Sequence, residues 1–430
     1  MKRKLALLLC LFMLLGTVGC AAKQQPQDPQ IQSRNLTADV EGTPNFLDME
    51  IYYQDPSYKK PEEASLITEL GFKLLHQIQA GSEEGENILI SPLSVILALG
   101  MTANGAVGET KAQMEQVLGT DLNPYLFSYV HGLPQGEKYK LSIANAVWMR
   151  EMEGLDVKKE FLQTVKDYYN AEIYSAPFDD TTLREINGWV KEKTDDMIPQ
   201  VLDKIDEAAV LYLINALAFD AEWQSIYNKS DIRTGEFTKE DGTVQTPEMM
   251  YSEEWTYLED EKATGFVKYY KDREYAFAAL LPNEGVTVKE YVNSLTAKHL
   301  EWLLTDGKQS CEVRACMPKF ETEYDILLNG VLIDLGMELP FDKDNADFSA
   351  MAESPDGNIV INRVIHKTKI EVDERGTKAG AATVVEMTCE SAAIVQEYKT
   401  VHLDRPFVYF IIDCEENVPV FMGTLMDTEQ

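Results

Sequence analysis

Positive charge is scarce in this chain. Its 430 residues carry 39 lysines and arginines against 72 aspartates and glutamates, a formal net charge of −33. Nucleic-acid binding needs basic clusters that displace counterions from phosphates, so this balance excludes it. The charge suits solubility and repulsion from anionic surfaces. Histidine is rare too: His76, His131, His299, His366 and His402 are the five. None lies in an H-E-x-x-H pattern or beside cysteines at metal-ligand spacing, so no metal is expected. The G-x-S-x-G nucleophile elbow, the G-x-G-x-x-G turn and the Walker phosphate loop are missing, and no cofactor is expected. Carboxylates abound, but no spacing singles out an acid–base pair. An enzyme is not expected.

Six cysteines do not make a disulfide framework here. Cys10 and Cys20 lie at the extreme N-terminus. Cys311 and Cys316 are five apart in a strand-like run, face opposite sides and cannot pair. With Cys389 and Cys414 they are read as free thiols. Long apolar runs are also missing: the run from Leu5 to Leu15 is too short for a membrane span. It follows Lys2-Arg3-Lys4 and leads into Gly16-Thr17-Val18-Gly19-Cys20, small residues before a cysteine as in a bacterial lipoprotein cleavage box. Thr17 departs from the leucine usual there. Residues 1–19 are therefore expected to be a lipoprotein-type signal peptide, with Cys20 as the lipid attachment site; a plain secretory signal cut nearby is the alternative. Two acyl chains suffice for stable anchoring. Residues 20–60 are expected to be anchor and tether, because the stretch from Gln24 to Gln30 is polar and proline-punctuated; Phe46, Ile51, Tyr52 and Tyr53 are candidates for touching the domain. Residues 61–430 are expected to fold as one domain outside the cell, lipid-anchored at the surface or secreted.

What the chain does have is a folding composition, 45% hydrophobic and 10% aromatic. Helical spacing covers residues 62–80, 92–103, 109–118, 158–169, 182–197, 288–304 and 326–335. Ser91 before Pro92 reads as a helix start. Strand-like runs cover residues 141–149, 210–219, 265–281, 312–320, 359–372, 406–414 and 418–425. Most helices precede the strand-rich second half, which disfavours a βαβ wind. The most informative segment is residues 373–385, an acidic turn ending in Gly376, then small and β-branched residues. Thr377, Ala379, Ala381 and Thr383 occupy alternate positions and would share one small, uncharged face of a strand. Lys378, Gly380 and Ala382 fall on the other. Gly and Ala are poor strand formers, so a flexible loop is the plain alternative. Such a segment can nonetheless slide between two existing strands without steric or charge penalty.

Several blocks, in order, resemble the serpin family from about residue 62 to residue 426. The run from Asn87 through Ser91-Pro92-Leu93-Ser94 to Met101 looks like the family's N-terminal strand and helix, and Gly105 to Thr110 follows in register. Asn215-Ala216-Leu217-Ala218-Phe219 with Trp223 is similar to its third central strand. Met317-Pro318-Lys319-Phe320, Leu335-Gly336-Met337 and Ala346-Asp347-Phe348-Ser349 match a second block. His366-Lys367 leads into the hinge, and Arg405-Pro406-Phe407 with Phe421-Met422-Gly423 resembles the C-terminal signature. The resemblance implies a single α+β domain with a large central mixed sheet, smaller sheets, eight or nine helices and an exposed C-terminal reactive loop at about residues 374–405.

The function implied is irreversible suicide-substrate inhibition of serine endopeptidases. The protease attacks the loop and forms an acyl-enzyme; the cleaved loop then inserts as a new strand, about fifteen residues spanning roughly 50 Å, and carries the protease away. Glu374, Gly376, Thr377, Lys378, Ala379, Gly380, Ala381, Ala382 and Thr383 form the implied hinge. Lys378 replaces the family's usual acidic residue on the outward face. The resemblance places His366 with Ser91, Ser94 and Asn215 in a buried polar cluster under the opening of the sheet; a solvent-facing histidine is the alternative. Glu374 and Lys319, near Trp223, are the family's ion pair at the top of the sheet. Counting seventeen residues from Glu374 gives Glu390-Ser391 as the scissile bond, with Thr388 or Cys389 as alternative positions. The partners implied are glutamate-preferring or elastase-like serine proteases, met by a monomer that touches membranes only through Cys20. A non-inhibitory serpin-fold binding or chaperone lipoprotein is the alternative function.

Overall fold

Two twelve-residue runs set the frame, Tyr139–Arg150 (β3) and Leu211–Glu222 (β6), paired antiparallel over their whole lengths. Their middles are apolar on both faces, the pattern of strands covered from both sides. The computed structural model describes residues 32–42, 64–206, 209–355, 357–377 and 398–429. Around the two long strands stand Arg34–Asn35 (β1), Glu172–Ala176 (β5), Phe320–Leu327 (β15), Arg363–Val372 (β17) and Gly376–Thr377 (β18), giving a mixed seven-stranded sheet ordered β1-β5-β3-β6-β18-β17-β15.

Beneath it lies a second sheet: Ile88–Ile90 (β2), Tyr257–Glu259 (β11), Ala263–Tyr269 (β12), Tyr275–Pro282 (β13), Phe407–Asp413 (β20) and Val418–Leu425 (β21). A four-stranded sheet holds Ile232–Thr234 (β7), Glu248–Glu254 (β10), Glu312–Pro318 (β14) and Tyr398–His402 (β19). Two ribbons pair Asp156–Val157 (β4) with Ala352–Glu353 (β16), and Phe237–Thr238 (β8) with Val244–Gln245 (β9).

Nine α-helices occur among the described residues. They are Ala64–Gly81 (α1), Pro92–Ala103 (α2), Gly108–Leu118 (α3), Leu122–Gly132 (α4), Lys159–Tyr169 (α5), Asp180–Lys193 (α6), Val288–Val292 (α7), Ala297–Leu304 (α8) and Asn329–Asp334 (α9). Ser91 caps α2, its side chain accepting from the Ser94 N–H at 3.2 Å, with Pro92 in the first turn. Every residue of α2 is buried, as a helix apolar on all sides must be. It lies in the main core between the two large sheets. A second core covers the other face of the seven-stranded sheet: Ile186, Trp189 and Val190 of α6, with Ile198, Val201 and Leu202 beyond it, pack on Tyr212, Ile214, Ala216 and Ile365. None of the described helices is long and apolar enough to cross a membrane.

Several element boundaries depart from the sequence reading. Residues 265–281 are a hairpin, β12 and β13, rather than one strand. The run 312–320 breaks at Lys319, where the chain leaves the four-stranded sheet for the central one. Ile326 and Leu327, read as helix, end β15; residues 288–304 hold two helices; α6 ends at Lys193 rather than 197; β17 starts at Arg363 rather than 359. Helix α4 was not anticipated. Within the stretch expected to be a tether, residues 32–42 are built into the domain: Arg34 and Asn35 pair with Ser175 and Tyr174, and Leu36 packs on the main core. Phe46, Ile51, Tyr52 and Tyr53 lie outside the described residues, as do the signal peptide and Cys20.

Candidate functional site: the opening of the central sheet

Strands β6 and β17 are neighbours along only part of their length. Tyr212–Ala216 pair in parallel with Arg363–Lys367. Above that the two strands part, and Gly376 and Thr377 sit between them. Gly376 pairs with Glu222, and Thr377 with Ala221 on one side and Val372 on the other, antiparallel to both. Here Gly376 is required sterically: a Cβ would press into the Ala221 carbonyl oxygen. Thr377 is buried, and its hydroxyl meets the Tyr270 hydroxyl. The strand begun by these residues points down the seam between β6 and β17.

The turn that feeds this strand is held tightly. Asp373 Oδ1 accepts from the Arg375 N–H at 2.7 Å and the Gly376 N–H at 3.1 Å, an acidic turn of the kind the sequence suggests. Trp223, fully buried at the end of β6, donates its indole N–H to the Asp373 carbonyl at 2.8 Å and its backbone N–H to the Arg375 carbonyl at 2.7 Å. The Tyr227 N–H reaches the Glu374 carbonyl at 3.0 Å. The indole stacks on Tyr270 with ring centres 4.3 Å apart. Lys268, buried and ion-paired to Glu254 at 2.8 Å, lies over the rings of Tyr227 and Trp223. Lys319 reaches Glu374 at 2.7 Å and Glu248 at 3.0 Å. The hydrogen bond from Lys319 holds the Glu374 carboxyl below its ordinary range, against a smaller opposing effect of burial. Both side chains are partly exposed, so this bridge contributes about 0–1 kcal/mol.

Lower in the seam a buried polar row crosses three strands. Asn145 of β3 stands opposite Asn215 of β6, and Asn215 opposite His366 of β17. The Asn215 amide donates to Asn145 Oδ1 and accepts from the Ser94 hydroxyl. The His366 Nε2 accepts from the Ser91 N–H at 3.1 Å, which puts its ring proton on Nδ1. Burial lowers the His366 pKa to about 4, so the ring is neutral. The structure thus brings Ser91, Ser94, Asn215 and His366 together below the seam, and Trp223, Lys319, Glu374, Gly376 and Thr377 above it. Lys378, Ala379, Gly380, Ala381, Ala382 and Thr383 of the hinge lie outside the described residues, as do Thr388, Cys389, Glu390 and Ser391. Sequence reasoning missed Asn145, Tyr270 and Lys268. An asparagine flanked by alanines in the middle of an apolar strand was the available signal for the first.

Nothing in this arrangement is a catalytic centre. Among the described residues no cluster of three or more His, Cys, Asp or Glu could hold a metal. Cys311, Cys316 and Cys414 are free thiols. What the geometry presents is two parallel strands parted at one end around Gly376 and Thr377.

The family described as Serpin (serine protease inhibitor) matches residues 65–428. An uncharacterised serpin-like protein of Thermococcus kodakarensis is 30% identical over 99% of both chains. The leukocyte elastase inhibitor of Bos taurus is 31% identical over 79% of this chain and 92% of its own. The crystal structure of the thermophilic serpin tengpin in its native state superposes with a TM-score of 0.83 at 43% identity, covering 92% of this chain and all of tengpin. Members of this family generally inhibit serine proteases and are not enzymes. The chain belongs to the serpin family.

Proposed function

We propose that this protein is a suicide-substrate inhibitor of serine endopeptidases, trapping the acyl-enzyme by inserting its cleaved loop between β6 and β17. One observation carries the reading: Gly376 and Thr377 already form two residues of a strand antiparallel to both neighbours, set where β6 and β17 part above their five parallel register pairs. The small side chains that follow in the sequence offer the seam no obstacle. The target is an elastase-like or glutamate-preferring protease. The named activity of the bovine relative favours the former, and the Glu390-Ser391 count the latter.

The purified domain is incubated with a panel of serine proteases, and an SDS-stable complex with release of a small C-terminal fragment is expected. Mass spectrometry of that fragment locates the bond. A start at Ser391 supports Glu390, and a start at Cys389 or Glu390 supports the elastase-like choice. No stable complex with any protease would leave the non-inhibitory alternative. We further propose that the mature protein is anchored at the cell surface through lipidated Cys20. It should fractionate with membranes, and Cys20→Ala should release it or block its processing.

A further inference from the structure

Lysine is almost never fully buried unless it is paired. Lys268 of β12 is 2% exposed and its partner, Glu254 of β10, 12%, with Nζ standing 2.8 Å from Glu254 Oε1. Replacing a buried ion pair by apolar side chains of similar size is commonly neutral or stabilising, so folding alone gives no reason for a lysine here. The pair closes a ring of four side chains. The Ser252 hydroxyl donates to Glu254 Oε1 at 2.7 Å. That uses its one proton, so in the 3.4 Å contact between Ser252 and Tyr227 the tyrosine hydroxyl is the donor. The Tyr227 ring then lies against the Lys268 ammonium, 4.3 Å from ring centre to Nζ, which brings the circuit back to its start. Trp223 shares the same ammonium at 5.4 Å. A cation over an aromatic face fixes the plane of the ring as well as its place.

The two rings fixed in this way belong to the residues that hold the turn ahead of Gly376 and Thr377. The Trp223 indole N–H binds the Asp373 carbonyl, the Tyr227 N–H binds the Glu374 carbonyl and the Trp223 backbone N–H binds the Arg375 carbonyl. Three consecutive carbonyls are therefore gripped by two residues whose rings rest on one buried charge. The Lys319–Glu374 bridge on the outside of the same turn is partly exposed, and exposed bridges hold little. A methionine at position 268 would fill the space of the lysine. It would not orient the two rings, and their N–H groups would no longer be aimed at the turn.

We propose that Lys268 is a positioning residue for loop insertion: its ammonium, set by Glu254, holds Tyr227 and Trp223 so that the turn at residues 373–375 starts the new strand at Gly376 and Thr377. Trapping is a race between entry of the cleaved loop and hydrolysis of the acyl-enzyme. A turn that is not held in place delays entry, and hydrolysis then wins. The role rests on the insertion reading of the preceding section and is separable from it by experiment.

Three variants test it beside the parent. Glu254→Gln keeps an oxygen for the ammonium, Lys268→Met keeps the length without the charge, and the double variant removes both charges. For each, the melting temperature, the hydrogen exchange of the Trp223 and Tyr227 backbone amides, and the ratio of stable complex to cleaved free inhibitor are measured. Lys268→Met strands a buried carboxylate and should melt below the parent. The double variant should melt within about 2 °C of the parent. Its two amides should nonetheless exchange about three- to thirtyfold faster, and its complexed fraction should fall at least about twofold. Glu254→Gln is expected to match the parent in exchange and in trapping. A double variant with parental exchange and trapping would overturn the role, and so would faster exchange with an unchanged complexed fraction. A double variant that melts far below the parent would make the pair a support of the fold and overturn the role as well. A parent that forms no stable complex with any protease would overturn the insertion reading, and this role with it.

Discussion

Thr377 is the residue at which the proposed loop insertion begins. Its side chain is 1% exposed and its hydroxyl is matched to Tyr270, so the position has room for a small polar group and nothing larger. An arginine there would bury an unpaired charge at a cost of at least several kcal/mol. Thr377→Arg is therefore expected to be cleaved by a target protease without forming stable complex, which a denaturing gel reads directly. Two other buried groups tie stability to pH with opposite signs. The His366 ring is held down to about 4 from its ordinary 6.5 by burial. Between those values the unfolded chain takes up a proton that the native state does not, so stability falls as pH drops from about 6.5 to about 4, by about 3 kcal/mol. Burial pushes Asp413 up from 3.8 to about 6. The native state then keeps a proton that the unfolded chain has lost, so stability falls as pH rises from about 4 to about 6, again by about 3 kcal/mol. The two effects largely offset each other across their shared window, and removing one exposes the other. Asp413→Asn keeps an oxygen for the Glu415 N–H, 3.1 Å away. It should exceed the parent in stability by about 3 kcal/mol at pH 7 and by nothing at pH 4, as urea midpoints at the two pH values would show.

At the scale of elements, the sequence was legible wherever a local signal coincided with burial. The Ser91-Pro92 start of α2, the apolar middles of β3 and β6, and the acidic turn at Asp373 all carry their reason in a few adjacent residues. The misses share a cause of another kind. The turn between β12 and β13 contains Asp272 and Arg273 in the left-handed region, where glycine or asparagine would have announced a hairpin. The break at Lys319 leaves no trace because β14 and β15 are both strand-like; only the tertiary pairing tells them apart. Helix α4 follows a left-handed Asp121 and holds Pro124 in its first turn, so its pattern is short and interrupted. The polar row at the seam was legible only through family resemblance, since no spacing joins Ser91, Asn215 and His366. Between α6 and β6, Val201 and Leu202 pack in the core with Ile365, and Asn187 binds the backbone of both. Asn187 Oδ1 accepts from the Val201 N–H at 2.8 Å and the Leu202 N–H at 2.9 Å, and its amide donates to the Leu202 carbonyl at 2.8 Å. Asn187→Ala would leave the partly buried Val201 and Leu202 N–H groups without that acceptor, at about 1–3 kcal/mol, while the Leu202 carbonyl keeps the Gln200 amide at 3.0 Å. The intact protein should lose stability in urea by that amount, while stable complex with a target protease forms at least as fast, because the packing on Ile365 of β17 is loosened.

For the whole molecule the question is which sheet is more stable, the one described or the one with an added strand. In the described state β6 and β17 are joined by five parallel register pairs, and parallel pairing is the weaker kind per residue. An inserted loop replaces that short ladder with two antiparallel ones, one on each side of the new strand. At about 0.5–1.5 kcal/mol net for each new hydrogen bond, a strand of ten residues contributes on the order of 10 kcal/mol. Little in the sequence opposes it, because Thr377, Ala379, Ala381 and Thr383 are small and uncharged. In the proposed mechanism, connectivity restrains insertion in the intact chain: the loop runs from Thr377, the last residue of β18, to Tyr398, the first residue of β19. Cutting it between Thr377 and Tyr398 removes that restraint without breaking β18 or β19. A nick loosens most proteins; here it should raise the melting temperature by about 10 °C or more, measured by calorimetry on intact and loop-cleaved protein. Equal melting temperatures would mean that the seam does not open to admit its own loop, and the fold would then serve binding and not trapping.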